Sequence, residues 1–126
     1  METKMNKDAP FGIEKSAWDK TLKEITKILR EKAKNKQLIY YSELAEMLTH
    51  VTIDPPYHPL YWMLGEISTS EHNRGRSLLS AVVVNRDEMK PGSGFFELSE
   101  ELGFDFEDDY SFWVEQLKKV FQEHEE

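Results

Sequence analysis

Four side chains near the middle of the chain are of types that catalyse reactions or bind metal ions: His58, Glu66, Glu71 and His72. Their spacing matches neither HExxH nor HxxEH, in which two histidines of one helix bind zinc. Glu71 and His72 are adjacent, so on a helix their side chains would point about 100° apart. The chain has no cysteine for a thiolate ligand or a thiol nucleophile. We therefore expect a protein that is not an enzyme, with no catalytic residue, no metal site and no cofactor.

Arginine and lysine residues form the other candidate set, because both contact phosphate groups and arginine also reads guanine. The predicted nucleic-acid-binding residues form three sets. The first set, Asn73, Arg74 and Arg76, follows the third predicted helix, and the second set, Arg86 and Lys90, lies in the turn of the predicted hairpin. The third set shares one face of the first predicted helix and consists of Lys20, Lys23, Lys27, Arg30 and Lys34. The local charge opposes this hypothesis, since residues 57–76 and 85–94 each have a net charge of zero. Phosphate neutralisation supplies much of the affinity for nucleic acid.

The charge of the chain is unevenly distributed. Residues 1–37 have a net charge of +4, residues 38–90 of −3 and residues 91–126 of −9, within an overall charge of −8. An acidic surface suits binding to a basic protein, as in an antitoxin or an immunity protein. The acids of residues 97–109 and of the C-terminal tail would form that surface, although acids also keep a domain soluble. The expected partner is thus nucleic acid or a basic protein, and the sequence determines neither its identity nor the oligomeric state.

The length of 126 residues is typical of one domain, and 39% hydrophobic residues suffice for a core. We expect a flexible tail over residues 1–12 and a single domain over residues 13–126. The N-terminal residues lack the apolar core of a signal peptide, and no apolar run approaches the ~18 residues that a membrane helix needs. The expected location is the cytoplasm, without membrane association.

Helical spacing is clearest at the start of the domain. Trp18, Leu22, Ile25 and Leu29 recur at steps of four, three and four residues, which predicts an amphipathic helix from Ile13 to about residue 34. The lysines and Arg30 fall on its opposite face. Further helices are predicted over residues 43–49 with Ser42 as N-cap, over residues 60–72 with Gly75 ending the helix, and from Asp108 and Asp109 onward.

Residues 78–98 predict a β-hairpin. A valine-rich apolar run and the segment around Phe95 and Phe96 flank a polar stretch that contains Pro91 and Gly92. A hairpin after three helices predicts an α+β, winged-helix-like fold, with three helices, the hairpin as the wing and a C-terminal helix. In the alternative, residues 38–41 join the hairpin as a central strand of a general α+β domain.

Several segments also resemble a group of small, uncharacterised bacterial proteins with a winged-helix-like plan. The similarity spans residues 38–103 and includes Tyr41-x-Glu43-Leu44-Ala45, LGEI at residues 64–67, LLSAVVVN at residues 78–85 and PGxGFF at residues 91–96. It implies a fold and no particular activity. The Tyr-x-Glu-Leu-Ala segment is also similar to the DNA-binding domain of alkyltransferase-like proteins, but the reactive Pro-Cys-His-Arg motif of alkyltransferases is missing.

Overall fold

The structure is a computed structural model that describes residues 9–125. Its elements are, in chain order, α1 (Lys15–Lys34), β1 (Ile39–Tyr40), α2 (Tyr41–Met47), α3 (His58–Asn73), β2 (Val83–Val84), α4 (Ser93–Glu101) and α5 (Asp109–Glu123). Short 3-10 helices precede α1 (Pro10–Gly12) and β2 (Leu79–Val82). Residues 1–8 of the predicted tail lie outside the described residues. The α+β class is confirmed, with most of the described chain helical.

The small sheet differs from the predicted hairpin. β1 and β2 pair in parallel, with Ile39 opposite Val83 and Tyr40 opposite Val84. The second half of the predicted hairpin forms α4 instead, so the hairpin prediction is wrong. Phe95, Phe96 and Ser99 form the buried face of this helix, and that spacing is helical. No wing forms within residues 9–125, and the winged-helix arrangement is not confirmed. The alternative prediction, in which residues 38–41 join the hairpin as a central strand, is correct only in that this segment pairs with the valine strand.

The segment over residues 78–84 crosses the centre of the core and is buried throughout. Its 3-10 part contacts α1, α3 and α5. Only two of its residues pair in the sheet, so its other backbone groups need different hydrogen-bond partners. Trp113 Nε1 donates to the Ala81 carbonyl at 2.7 Å, and the Leu78 N–H donates to Gln116 Oε1 at 3.1 Å. Side chains of α5 thereby fix the central segment and position the helices around it.

The boundaries of α1 and α5 follow their sequence signals. α1 begins two residues after the predicted start and ends where expected. The Asp108 carboxylate accepts a hydrogen bond from the Ser111 N–H at 2.9 Å, which confirms the predicted start of α5. Gly75 follows α3 with a φ of 79°, as expected of a helix-ending glycine. Among the described residues, no helix is both long and apolar enough to cross a membrane.

The start of α2 was predicted incorrectly. The helix begins at Tyr41, so Ser42 lies inside its first turn and is not the N-cap. The Tyr40 N–H at the helix start donates instead to Glu43 Oε1 at 3.0 Å. A glutamate in the first turn can satisfy a backbone donor that the helix itself leaves unpaired, and this interaction allows α2 to follow β1 directly.

Candidate binding groove

Two of the predicted nucleic-acid-binding arginines, Arg30 and Arg76, form an ion-pair cluster with Glu71, whose side chain is buried while both arginine side chains remain 34% exposed. The Arg30 guanidinium donates to both carboxylate oxygens at 3.1 and 3.0 Å, and Arg76 Nε donates to Oε1 at 3.0 Å. Burial alone would raise the pKa of Glu71, but the hydrogen bonds and charges of the two arginines outweigh burial and hold this pKa below its usual value. The two guanidinium groups therefore stabilise the junction of α1, α3 and the turn after α3.

His124, at the end of α5, also contacts this cluster. Its Nδ1 lies 2.8 Å from the Val120 carbonyl oxygen, and because a carbonyl only accepts, Nδ1 carries the proton. Nε2 then accepts from Arg30 Nη1 at 3.1 Å. The His124 ring thus connects the end of α5 to α1.

The lysines of α1 are placed differently. Lys20, Lys23 and Lys27 are exposed and form no ion pair with a described residue. Lys23 and Lys27 lie along a depression of about 570 Å³ between α1 and α3, which Arg30 and Arg74 also line. Lys34 is exposed in the last turn of α1.

The other predicted contact residues are more scattered. Asn73 and Arg74 are exposed at the end of α3, and Arg86 lies 4.4 Å from the centroid of the Tyr40 ring. The Lys90 carbonyl accepts from the Asn85 N–H at 2.9 Å. Neither Arg86 nor Lys90 lines the depression between α1 and α3. The structure therefore groups Lys23, Lys27 and Arg30 of α1 with Arg74, whereas Lys20, Lys34 and the two residues of the expected wing do not line the depression.

A larger opening lies between α3 and α4, with a volume of about 860 Å³. We call it the α3–α4 groove. Trp62 and Tyr61 line it and are 62% and 41% exposed, although both are large aromatic residues. Apart from the basic Arg74 and the apolar Leu98, the remaining lining residues are small, polar or acidic: Gly65, Glu66, Thr69, Ser70 and Asn73 on α3, and Gly94, Glu97 and Glu101 on α4.

Among residues 9–125, three carboxylates line the α3–α4 groove and Arg74 is the one cationic residue, so the charge of this lining is negative. Glu66 is also held in place, because Trp18 Nε1 donates to its Oε1 at 3.0 Å. Glu97 and Glu101 are exposed one turn apart on the facing helix. The groove therefore combines exposed aromatic surface with carboxylates, an arrangement that attracts cations and repels phosphate groups.

A second space of about 380 Å³ adjoins the groove, and we call it the inner cavity. Tyr61, Gly65, Gly94 and Leu98 line both spaces. Tyr41 lines the inner cavity, and its hydroxyl accepts a hydrogen bond from the Gly92 N–H at 3.0 Å. Burial raises the pKa of Tyr41 to about 12, so the hydroxyl stays protonated at neutral pH and can donate as well as accept.

The side chains first considered for catalysis do not come together. His58 is exposed at the start of α3, 6.4 Å from the Tyr61 ring. The His72 ring lies 5.4 Å from Phe104, and Glu71 is held by arginines. Within residues 9–125, no group of three or more histidine, aspartate or glutamate residues is placed to hold a metal ion.

Comparisons with protein-family models, curated proteins and solved structures find no match to this chain. The assignment of a site therefore depends on geometry. Sequence reasoning assigned the segment around Phe95 and Phe96 to a strand of the hairpin, so it missed the groove. The signal was present in α4, where Gly94, Glu97, Leu98 and Glu101 recur at helical spacing.

Proposed function

We propose that this protein is a non-catalytic binding module that binds a basic segment of a protein partner in the α3–α4 groove. One observation carries the proposal: Trp62 is 62% exposed in a groove lined by three carboxylates. Tryptophan is enriched among the residues that dominate interface energies. The absence of cysteine from the chain is compatible with a cytoplasmic location.

The chemistry of the groove favours a cationic partner with apolar side chains. A guanidinium or ammonium group over an indole ring gains about 0.5–2 kcal/mol, depending on how far it is desolvated. Glu66, Glu97 and Glu101 can add charge-assisted hydrogen bonds to the same groups. Leu98 and the aromatic rings supply apolar surface for the rest of the segment. A phosphate backbone in this position would lie against the same carboxylates, which disfavours nucleic acid in the groove.

The experiment uses a fluorescein-labelled amphipathic peptide of about 18 residues composed of arginine and leucine, with its binding measured by fluorescence anisotropy. We expect saturable binding that weakens at high salt, because exposed charges are screened within about 10 Å at 0.1 M ionic strength. Trp62→Ala and the double variant Glu97→Gln with Glu101→Gln should each weaken binding about tenfold or more, as expected for residues central to an interface.

Tyr110→Ala is the matched control for Trp62→Ala. Tyr110 is 59% exposed but lies on α5 and does not line the groove, so its removal should leave the affinity unchanged. A peptide with glutamate in place of arginine should not bind. Equal affinity of the native protein and the Trp62→Ala variant would reject the groove as the binding site.

Nucleic-acid binding is the second candidate function, and it is supported by the three α1 lysines that form no ion pair with a described residue. Lys20 and Lys27 are seven residues apart, which corresponds to about 10 Å along a helix. We expect a gel-retention assay at low salt to show weak duplex binding that is lost when Lys20, Lys23 and Lys27 are changed to glutamine. Lys118→Gln with Lys119→Gln, two exposed lysines of α5, is the control. No retention of the native protein would reject this candidate.

A further inference from the structure

We propose that the inner cavity is an anchor pocket for one tyrosine-like side chain, a flat aromatic ring with a hydrogen-bonding tip. This inference rests on the proposed function, because the side chain would come from the same basic segment that occupies the α3–α4 groove. The two spaces share Tyr61, Gly65, Gly94 and Leu98. A segment in the groove can therefore direct a side chain between the two glycines into the cavity.

The walls of the cavity suit an aromatic ring. Leu64, Phe95 and Leu98 supply apolar surface, and the Tyr61 ring lies edge-on to the Tyr41 ring with the two centroids 5.2 Å apart. Gly65 and Gly94 present no side chain to the space. The volume of about 380 Å³ lies in the range of pockets that bind small organic groups. A single aromatic side chain fits this volume.

The far end of the cavity is polar and has unused hydrogen-bonding capacity. The Tyr41 hydroxyl accepts from the Gly92 N–H at 3.0 Å but donates to no described residue. The Asn85 amide nitrogen donates to Glu88 Oε1 at 3.3 Å, while its amide oxygen accepts nothing from the described residues. The Tyr41 O–H and the second N–H of the Asn85 amide are thus left without a partner among the described residues.

Gly92 keeps this polar end open. A Cβ atom at Gly92 would lie 3.6 Å from Asn85 Nδ2 and 3.7 Å from the Tyr41 hydroxyl oxygen. The missing side chain therefore leaves space beside the Asn85 amide nitrogen and the Tyr41 hydroxyl. A phenol oxygen can accept from the Tyr41 hydroxyl and from the second N–H of the Asn85 amide, whereas an aliphatic anchor would desolvate both groups without pairing them.

The first test uses p-cresol as a probe of the native protein, with the backbone amides of Gly92 and Gly94 followed by NMR. We expect saturable shifts of both amides, and binding of toluene that is about fivefold weaker because it lacks the hydroxyl. Gly92→Ala should weaken p-cresol binding about tenfold by filling the space beside Asn85 and Tyr41. The φ of Gly92 is −70°, which alanine adopts freely, so the melting temperature should not change.

Gln122→Ala, at an exposed position of α5 that lines neither space, is the control and should leave p-cresol binding unchanged. Equal binding of toluene and p-cresol, or full binding to Gly92→Ala, would overturn the proposal. Tighter binding of uridine than of p-cresol at the same amides would assign the cavity to a nucleobase and would overturn it as well.

The second test joins the two sites. The basic groove-binding peptide carrying one tyrosine should bind about fivefold tighter than its phenylalanine counterpart, and Gly92→Ala should abolish that difference. If both peptides bind equally, the anchor pocket is rejected and the basic-segment function stands. If neither peptide binds, the proposed function itself is rejected.

Discussion

Gly65→Ala should stabilise the protein and at the same time weaken binding in the α3–α4 groove. Gly65 lies within α3, where glycine costs about 0.5–1 kcal/mol relative to alanine. An added Cβ would lie 3.9 Å from Leu98 Cδ2, which is ordinary van der Waals contact. Alanine therefore fits without displacing α4. The melting temperature should rise by about 2–5 °C in a domain of this size.

The same methyl group narrows the passage that joins the groove to the inner cavity, since Gly65 lines both. A partner segment must then shift or compress, at a cost of about 1–3 kcal/mol. The dissociation constant for the basic peptide should rise about tenfold, which corresponds to about 1.4 kcal/mol. Thermal unfolding followed by circular dichroism and fluorescence anisotropy of the labelled peptide measure the two effects independently.

Opposite changes in stability and affinity exclude misfolding as the cause of weaker binding. Gln122→Ala, at an exposed position of α5, is the control for a helix change outside the groove and should leave the affinity unchanged. A Gly65→Ala variant that is more stable and binds the peptide as tightly as the native protein would refute the reasoning about the groove. A variant less stable than the native protein would refute the inference that an alanine side chain fits beside Leu98.

Three further predictions concern the helix junctions. Glu71→Gln should lower the free energy of unfolding by about 2–3 kcal/mol in urea titrations, because it leaves the guanidinium groups of Arg30 and Arg76 without their counter-charge. A loss below about 0.5 kcal/mol would match an ordinary surface substitution and would contradict a stabilising role of the Glu71 carboxylate. The pKa of Glu71 is lowered from 4.5 in the folded protein, so its stabilisation is present above that pH and is lost as the pH falls through the lower folded value. The native protein should accordingly lose more stability than Glu71→Gln between about pH 5 and pH 3, and parallel pH profiles would contradict the assignment. Asp108→Ala removes the cap that accepts from Ser111 and should cost about 1 kcal/mol in the same unfolding assay, whereas Asp109→Ala, which lacks that contact, should cost less.

Local patterns were sufficient where a segment makes most of its own interactions. The apolar spacing of Trp18, Ile25 and Leu29 predicted α1, and Asp108 marked the start of α5. In both places the signal and the structure lie within one helix, so no distant part of the chain had to be known. The uneven charge of the chain was also evident from the sequence, because the net charge of a segment is a sum over its residues and requires no knowledge of tertiary contacts.

The candidate site could be predicted only in part. The acids Glu97 and Glu101 could be recognised in the sequence as part of an acidic surface, but the exposure of Trp62 and its position across the groove from them could not. Residues 94–98 contain two adjacent phenylalanines beside glycine, and a short apolar run of this kind fits a strand as well as a helix. The groove exists because that run is helical and packs beside α3.

The sequence by itself determined the helical stripes, the turns that end them and the charge gradient, because these depend on neighbours within about one or two turns. Only the tertiary structure decided that Val83 and Val84 pair in parallel with β1, and that Arg30 and Arg76 neutralise Glu71 in the interior. The physical reason is distance along the chain: Arg30 and Glu71 lie 41 residues apart, and no local preference encodes which distant charge a buried carboxylate will meet.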